Sequence, residues 1–173
     1  PEWNFMDLGM QQVGAVNVPV YPTISESEYK FIFNDAEVKL CFVSDSELYK
    51  KVMAIKGEVP TLKEIYTFNE VEGAKNWKEI LTDVSETDLQ EIEKQKNEVT
   101  ENDLATIIYT SGTTGTPKGV MLSHKNLCSN VSSVSTVLTI IAGTNALSFL
   151  PLCHSFERTV SYVYQINCVS IYY

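Results

Sequence analysis

Three observations predict an α/β fold with a partial doubly wound sheet. Short apolar runs alternate with amphipathic helical stretches along most of the chain, turn and cap residues separate them, and no internal repeat or low-complexity tract breaks the order. A length of 173 residues fits one domain, and a hydrophobic content of 44% is enough for a core.

The elements follow in order. Residues 3–13 carry Phe5, Met6, Leu8, Met10 and Val13 at helical spacing, so an amphipathic helix is expected, ended near Gly14. Residues 16–21 read as a strand. Ser25 and Glu28 form a capping-box pattern, with Ile24 before it and Tyr29, Phe31, Ile32 and Phe33 after it, which predicts a helix to about Asn34. A buried strand is expected over 40–43, a helix over 46–55 with Leu48, Val52 and Ile55 on one face, and a strand over 65–68.

Residues 70–102 change character, with ten acids and four lysines around scattered apolar residues such as Trp77, Ile80, Leu81, Leu89 and Ile92. Short surface helices acting as a connector are expected there. A strand over 105–110 and another over 119–122 flank a loop, and Ser123 can cap a helix from His124 to about Ile140. A strand over 145–150 leads to Pro151, which opens a loop carrying His154, and the chain closes on the aromatic β-type run SIYY.

Charge is uneven. The net charge is −9, yet residues 1–103 hold 21 acids against 10 lysines, and residues 104–173 hold one acid against three basic residues. Spread evenly, that acidic balance would argue against nucleic acid or any polyanion as a partner, and no nucleic acid is expected, but the second stretch is free of that excess of acid. Residues 104–156 contain no carboxylate, which suits a multiply charged anion, although buried strands also lack charge for their own reasons. Cys41, Cys128, Cys153 and Cys168 show no CxxC spacing and read as buried thiols of a reducing, cytoplasmic compartment. No apolar run approaches the roughly 18 residues that span a bilayer.

The loop between those central strands lies in the acid-poor part. The run YTSGTTGTPKGVMLSH at 109–124 offers hydroxyls at Ser111, Thr113, Thr114 and Thr116. Gly112, Gly115 and Gly119 are expected to let the backbone visit positive φ and approach an anion, and Lys118 supplies charge. A Walker loop needs glycine before its lysine and a hydroxyl residue after it, whereas Pro117 and Gly119 stand here, so a kinase or GTPase is disfavoured.

YTSGTTGTPKG at 109–119 resembles the phosphate-binding signature of the adenylate-forming, or AMP-binding, enzymes. GAVNVPVYPTIS at 14–25 and LPLCHSFERT at 150–159 are similar to their long-chain fatty acyl-CoA synthetase branch, which Phe156, Glu157 and Arg158 favour. The resemblance runs essentially from end to end, and such enzymes are several times longer. It implies that residues 1–173 are one partial AMP-binding domain from the large N-terminal domain of such an enzyme. The remainder of that domain and the small C-terminal domain would lie outside.

The activity implied is ATP-dependent ligation of a long-chain fatty acid to coenzyme A through an acyl-adenylate, with Mg²⁺. Thr110, Ser111, Gly112, Thr113, Thr114, Gly115 and Lys118 would bind phosphate, Thr110 would contribute to the Mg²⁺ shell, His154 would lie near the acyl and adenylate pocket, and Phe156 would line the acyl path. No catalytic set is complete, so the chain alone is expected to lack ligase activity and to bind ATP weakly at best. Exposed apolar sheet edges would favour self-association. Glu157 and Arg158 read preferentially as an ion pair with each other, and His124 as a helix-start residue without chemistry. No His, Cys and acid cluster suggests a transition-metal site. Two other readings stay open: adenylation of an aromatic or amino acid, and a non-catalytic phosphate-binding or scaffolding module.

Overall fold

A computed structural model describes residues 1–111 and 115–173. Two parallel β-α-β units flank an antiparallel hairpin. In the first, β1 (Leu40–Val43) and β2 (Glu64–Thr67) pair in parallel, Leu40 with Glu64 through Val43 with Thr67, and α3 (Ser46–Ile55) crosses between them. A two-residue strand, β3 (Lys75–Asn76), adds a third parallel edge beside Tyr66 and Thr67. The hairpin is β4 (Leu104–Thr110) with β5 (Lys118–Ser123). The last unit pairs β6 (Asn145–Leu147) with β7 (Ser170–Tyr172) in parallel through α6 (Ser155–Ile166).

Local chemistry sets the helix starts. For α2 (Glu26–Asp35), the Ser25 hydroxyl accepts from the Glu28 N–H at 3.2 Å and the Glu28 carboxylate accepts from the Ser25 N–H at 2.8 Å, a complete capping box. Asp45 caps α3 by accepting from Glu47 and Leu48 N–H. Ser123 caps α5 (His124–Val137), which ends three residues before the expected Ile140. The connector forms a 3₁₀ turn over Trp77–Ile80 and α4 (Glu86–Glu98), none of whose residues is buried.

There are two apolar cores. Tyr29, Ile32 and Phe33 of α2 meet Cys41, Val43, Val52, Ile55 and Ile65 in the first. Ala105 meets Leu127 and Val131 of α5 and Tyr162 and Val163 of α6 in the second. The hairpin stands between them.

Four expectations need correction. Residues 16–21 form no strand beyond one parallel bridge, Asn17 with Thr106, because Asn17 spends its N–H and C=O on Ala105 and Ile107 and the chain then turns away. The strand over 145–150 stops at Leu147, where the Ser148 hydroxyl bonds Glu157. Cys128 and Cys168 are exposed, and only Cys41 and Cys153 are buried. The first helix, α1 (Glu2–Gln12), buries the face opposite to the expected one: Asn4 and Asp7 lie inside while Phe5 is 61% exposed. Its inward residues Asn4, Asp7 and Gln11 are spaced three and four apart, and each has a hydrogen-bond partner from the C-terminal part of the chain.

Candidate functional site

The signature is presented at the loop end of the hairpin. Thr110 and Lys118 are directly paired across it, so their side chains leave the same face with Cβ atoms about 5 Å apart. Both are exposed, as are Ser111 and Thr116. Among the described residues, Lys118 makes no ion pair, which leaves its ammonium available to an anion. Gly115 has φ of 83°, so the loop does use a left-handed position there. Gly112, Thr113 and Thr114 lie outside the described residues.

Gly119 serves differently from the expectation. It is not among the residues at positive φ; instead it lies beneath Tyr109, its partner across the hairpin. A Cβ there would stand 2.7 Å from Ile107 Cγ2 and 3.1 Å from Tyr109 Cζ. Close approach, not chain reversal, requires this glycine.

Among the described residues no helix starts at the loop: α5 begins at the far end of β5, where Ser123 pairs with Leu104. The helix macrodipole that assists phosphate loops ending in a helix is therefore absent here. Nor is the surrounding space free of acid. The Tyr109 hydroxyl donates to the Asp35 carboxylate at 2.5 Å, from the face opposite Thr110 and Lys118. Burial first, and the bond to Asp35 second, push the Tyr109 phenol well above its ordinary range.

His154 and Phe156 sit at the start of α6. His154 is the cap, its Nδ1 accepting from the Phe156 N–H at 3.2 Å, so the proton of the neutral ring resides on Nε2. The Phe156 side chain is 60% exposed. Two recesses of about 340 and 370 Å³ lie elsewhere, the first beside Leu8, Gln11 and His124 and the second beside Ile140, Tyr164 and Val169. Neither is lined by Thr110, Lys118, His154 or Phe156. All four of these residues are exposed.

Glu157 and Arg158 do not pair with each other. Successive residues of a helix diverge by about 100°, and here each finds a different buried partner. Ser148 donates its hydroxyl to Glu157 at 2.5 Å. Arg158 donates through Nη2 to Asp7 Oδ1 at 2.5 Å, through Nε to Asp7 Oδ2 at 3.3 Å and to the Tyr162 hydroxyl at 2.8 Å, and through Nη1 to Thr106 Oγ1 at 2.7 Å. Asp7 accepts two further bonds, from Asn17 Nδ2 at 2.6 Å and the Tyr162 hydroxyl at 2.5 Å. The carboxylate's acceptor sites are filled on both oxygens, and both charges are almost wholly buried. Desolvation is the main cause that raises the Tyr162 phenol.

Asp7, Asn17, Thr106 and Tyr162 were not legible as one cluster, because they come from three distant stretches of chain. One signal was present: Arg158 is the sole arginine, every other basic side chain being lysine. The planar five-donor fork is the group suited to a buried multidentate site.

The geometry defines an α/β domain that presents an exposed lysine and hydroxyl pair at a glycine-containing turn. A family model described as AMP-binding enzyme matches residues 1–170, and the chain belongs to that family. It is 32% identical over 164 residues to long-chain-fatty-acid–CoA ligase FadD15 of Mycobacterium tuberculosis, covering 92% of this chain and 27% of that protein. It is 34% identical over 176 residues to long-chain-fatty-acid–CoA ligase 1 of Homo sapiens, covering 94% and 25%. The chain thus spans about a quarter of the length of the curated relatives it matches. The fold is similar to the inhibitor-bound N-terminal domain of FACL13 from M. tuberculosis, with a TM-score of 0.74 at 21% identity over 98% of this chain and 40% of that one. It is also similar to ATP-bound MatB from Rhodopseudomonas palustris, with a TM-score of 0.73 at 23% identity over 99% and 33%.

Among the described residues no group of three His, Cys, Asp or Glu side chains could hold a metal ion. Mg²⁺ keeps waters and phosphate oxygens as most of its ligands, so a single exposed oxygen, that of Thr110, is a donor set that fits it only together with a polyphosphate. Among the described residues no helix is long and apolar enough to cross a membrane.

Proposed function

We propose that this chain is the nucleotide-phosphate-binding part of an ATP-dependent ligase that activates a long-chain fatty acid as its acyl-adenylate and passes it to coenzyme A. The observation that carries the reading is the pairing of Thr110 with Lys118 at the mouth of the signature loop, on the face away from Asp35. Lys118 and the loop hydroxyls would neutralise charge developing on the departing pyrophosphate, with Mg²⁺ lowering the charge of the bound polyphosphate. Thr110 would offer the metal one oxygen. A fatty carboxylate is already ionised at neutral pH, so no general base is required.

His154 and Phe156 would face the acid. The names of the curated relatives support a long aliphatic chain over an aromatic or amino acid. Residues 1–173 act as one partial domain in this reading, without ligase activity alone, because the exposed His154 and Phe156 surface encloses no acid. Exposed apolar side chains at Leu147, Phe149, Phe156 and Tyr172 favour self-association of the isolated chain. The four unpaired thiols suit a reducing, cytoplasmic setting.

Acid-dependent exchange of labelled pyrophosphate into ATP tests the reading, with a fatty acid, a benzoate and an amino acid as alternative substrates. The complete protein should exchange with the fatty acid, and Lys118→Ala should reduce that exchange at least tenfold, as expected for loss of one charge-assisted contact. Exchange with the benzoate or amino acid alone would move the substrate class. No exchange with any acid by a protein that still binds phosphate would leave a non-catalytic binding module.

A further inference from the structure

The network around Arg158 ends on the two halves of the candidate site. On one side lies Thr106, four residues before Thr110 on the strand that delivers the signature. The register of β4 explains its aim: Leu104 pairs with Ser123 and Thr106 with Leu122, so Ala105 is one extra residue, a bulge. The bulge sinks Ala105 into the second core and turns the Thr106 hydroxyl onto Arg158 Nη1 and the Asn17 carbonyl. On the other side, Arg158 is one turn inside α6 and its N–H donates to the His154 carbonyl at 3.1 Å. One buried guanidinium therefore joins the phosphate-loop strand to the helix that carries His154 and Phe156, with Asp7 holding its charge.

We propose that Arg158 is a positioning residue that fixes the signature hairpin against the start of α6, so that the carboxylate and the nucleotide meet in a set geometry. This rests on the ligase reading above, in which the two halves serve one reaction. Arg158 is almost completely buried and each of its guanidinium nitrogens donates to a protein acceptor, so it exposes no group to a substrate. Weakening its grip leaves each half intact. Each substrate should still bind, while their mutual placement suffers, and a misplacement of about 1 Å can cost on the order of 100-fold in rate. Lysine is no substitute, since a single ammonium cannot hold donors to Asp7, Tyr162 and Thr106 in one plane.

Thr106→Val and Arg158→Lys in the complete protein test this. Thr106→Val removes the Arg158 link to β4, together with the Thr106 bond to the Asn17 carbonyl, and leaves the Arg158–Asp7 pair. The expected result is a kcat at least about tenfold lower with KM for ATP and for the acid each within about twofold. A folded Thr106→Val protein with unchanged kcat, or one whose KM alone rises, overturns the proposal. Hydrogen exchange on the 173-residue chain needs no activity. In Thr106→Val the amides of β4, Gly115 and Lys118 should exchange about tenfold faster while β1 and β2 stay unchanged; unchanged exchange in the hairpin overturns it too. Faster hairpin exchange in a chain whose complete protein adenylates no acid would uphold the coupling and sink the ligase reading alone.

Discussion

The ring of Tyr109 lies over the α-carbon of Gly119 across the hairpin, and the space between them is too small for a methyl group. The nearest obstacle, Ile107 Cγ2 at 2.7 Å from an added Cβ, belongs to a β-branched side chain with no easy alternative rotamer. Gly119→Ala is therefore expected to destabilise the chain by about 1–3 kcal/mol, the usual cost of overpacking, seen as a lower urea midpoint. Gly115→Ala would meet no atom of the described residues within 4 Å but demands a left-handed backbone, so it should cost about 1–2 kcal/mol for that reason. Equal wild-type midpoints would contradict both.

Asp7→Asn should be among the most damaging single changes in α1. It leaves the Arg158 guanidinium buried without its counter-charge, which typically costs about 3–5 kcal/mol. Asp7→Leu combined with Arg158→Met should recover only part of the loss, because it removes both buried charges but leaves Asn17 Nδ2 and the Tyr162 hydroxyl without the acceptor they use. A double-mutant cycle of urea midpoints checks this, and additive losses would show the two side chains to be independent.

Thiol labelling should proceed in three steps. Cys128 and Cys168 are exposed and should react with an aromatic disulfide at pH 8 within the mixing phase. Cys153 is buried, and burial raises its thiol, so it should lag. Cys41, pushed up to about 12 by burial, should react only when the first core opens. Rapid labelling of all four in native buffer would contradict the buried placement.

Alkali should destabilise the first core by the same cause. Tyr29 and Cys41 both titrate at about 12 in the fold, above their ordinary values of 10.0 and 9.0. Each is thus held neutral by the fold. The stabilisation is full below the ordinary values and is lost as pH climbs from about 9 to 12. A urea midpoint that begins to fall above pH 9 is the expected reading, with Cys41→Ala flattening part of the decline.

Acid should act on the helix starts. Glu28 is lowered chiefly by the Ser25 hydroxyl, Asp88 by the Ser85 hydroxyl and Asp45 by the Ser44 hydroxyl. Because these carboxylates titrate below their unfolded range, their contribution is present above that range and is lost as pH falls through the depressed values. Ser25→Ala should cost about 1 kcal/mol at neutral pH and should also reduce the acid sensitivity of the helical far-ultraviolet signal.

Elements whose cause lies within a few residues were legible. The Ser25 and Glu28 box, β1 at residues 40–43 and α3 at residues 46–55 stand where their caps and apolar spacing put them. What was not legible depends on partners far away in sequence. Phe5 and Leu8 suggested an apolar inward face, yet a carboxylate 151 positions from its guanidinium turned α1 over. A two-residue strand such as β3 has too few positions to show alternation. The absence of acids from 104–156 was real in the sequence but not in space, since Asp35 reaches Tyr109 from α2. Among the candidate site residues, the Thr110 and Lys118 pairing follows from the hairpin, whereas the separation of Glu157 from Arg158 required the helix to exist first.

Ala105 makes the hairpin an odd-numbered device. From Leu104 to Thr110 β4 uses seven residues where β5 uses six from Ser123 to Lys118, so the strict alternation that Lys118 keeps with Ser123 is one that Thr110 cannot keep with Leu104: the signature faces as β5 dictates, and the rest of the chain before Ala105 enters on its own terms.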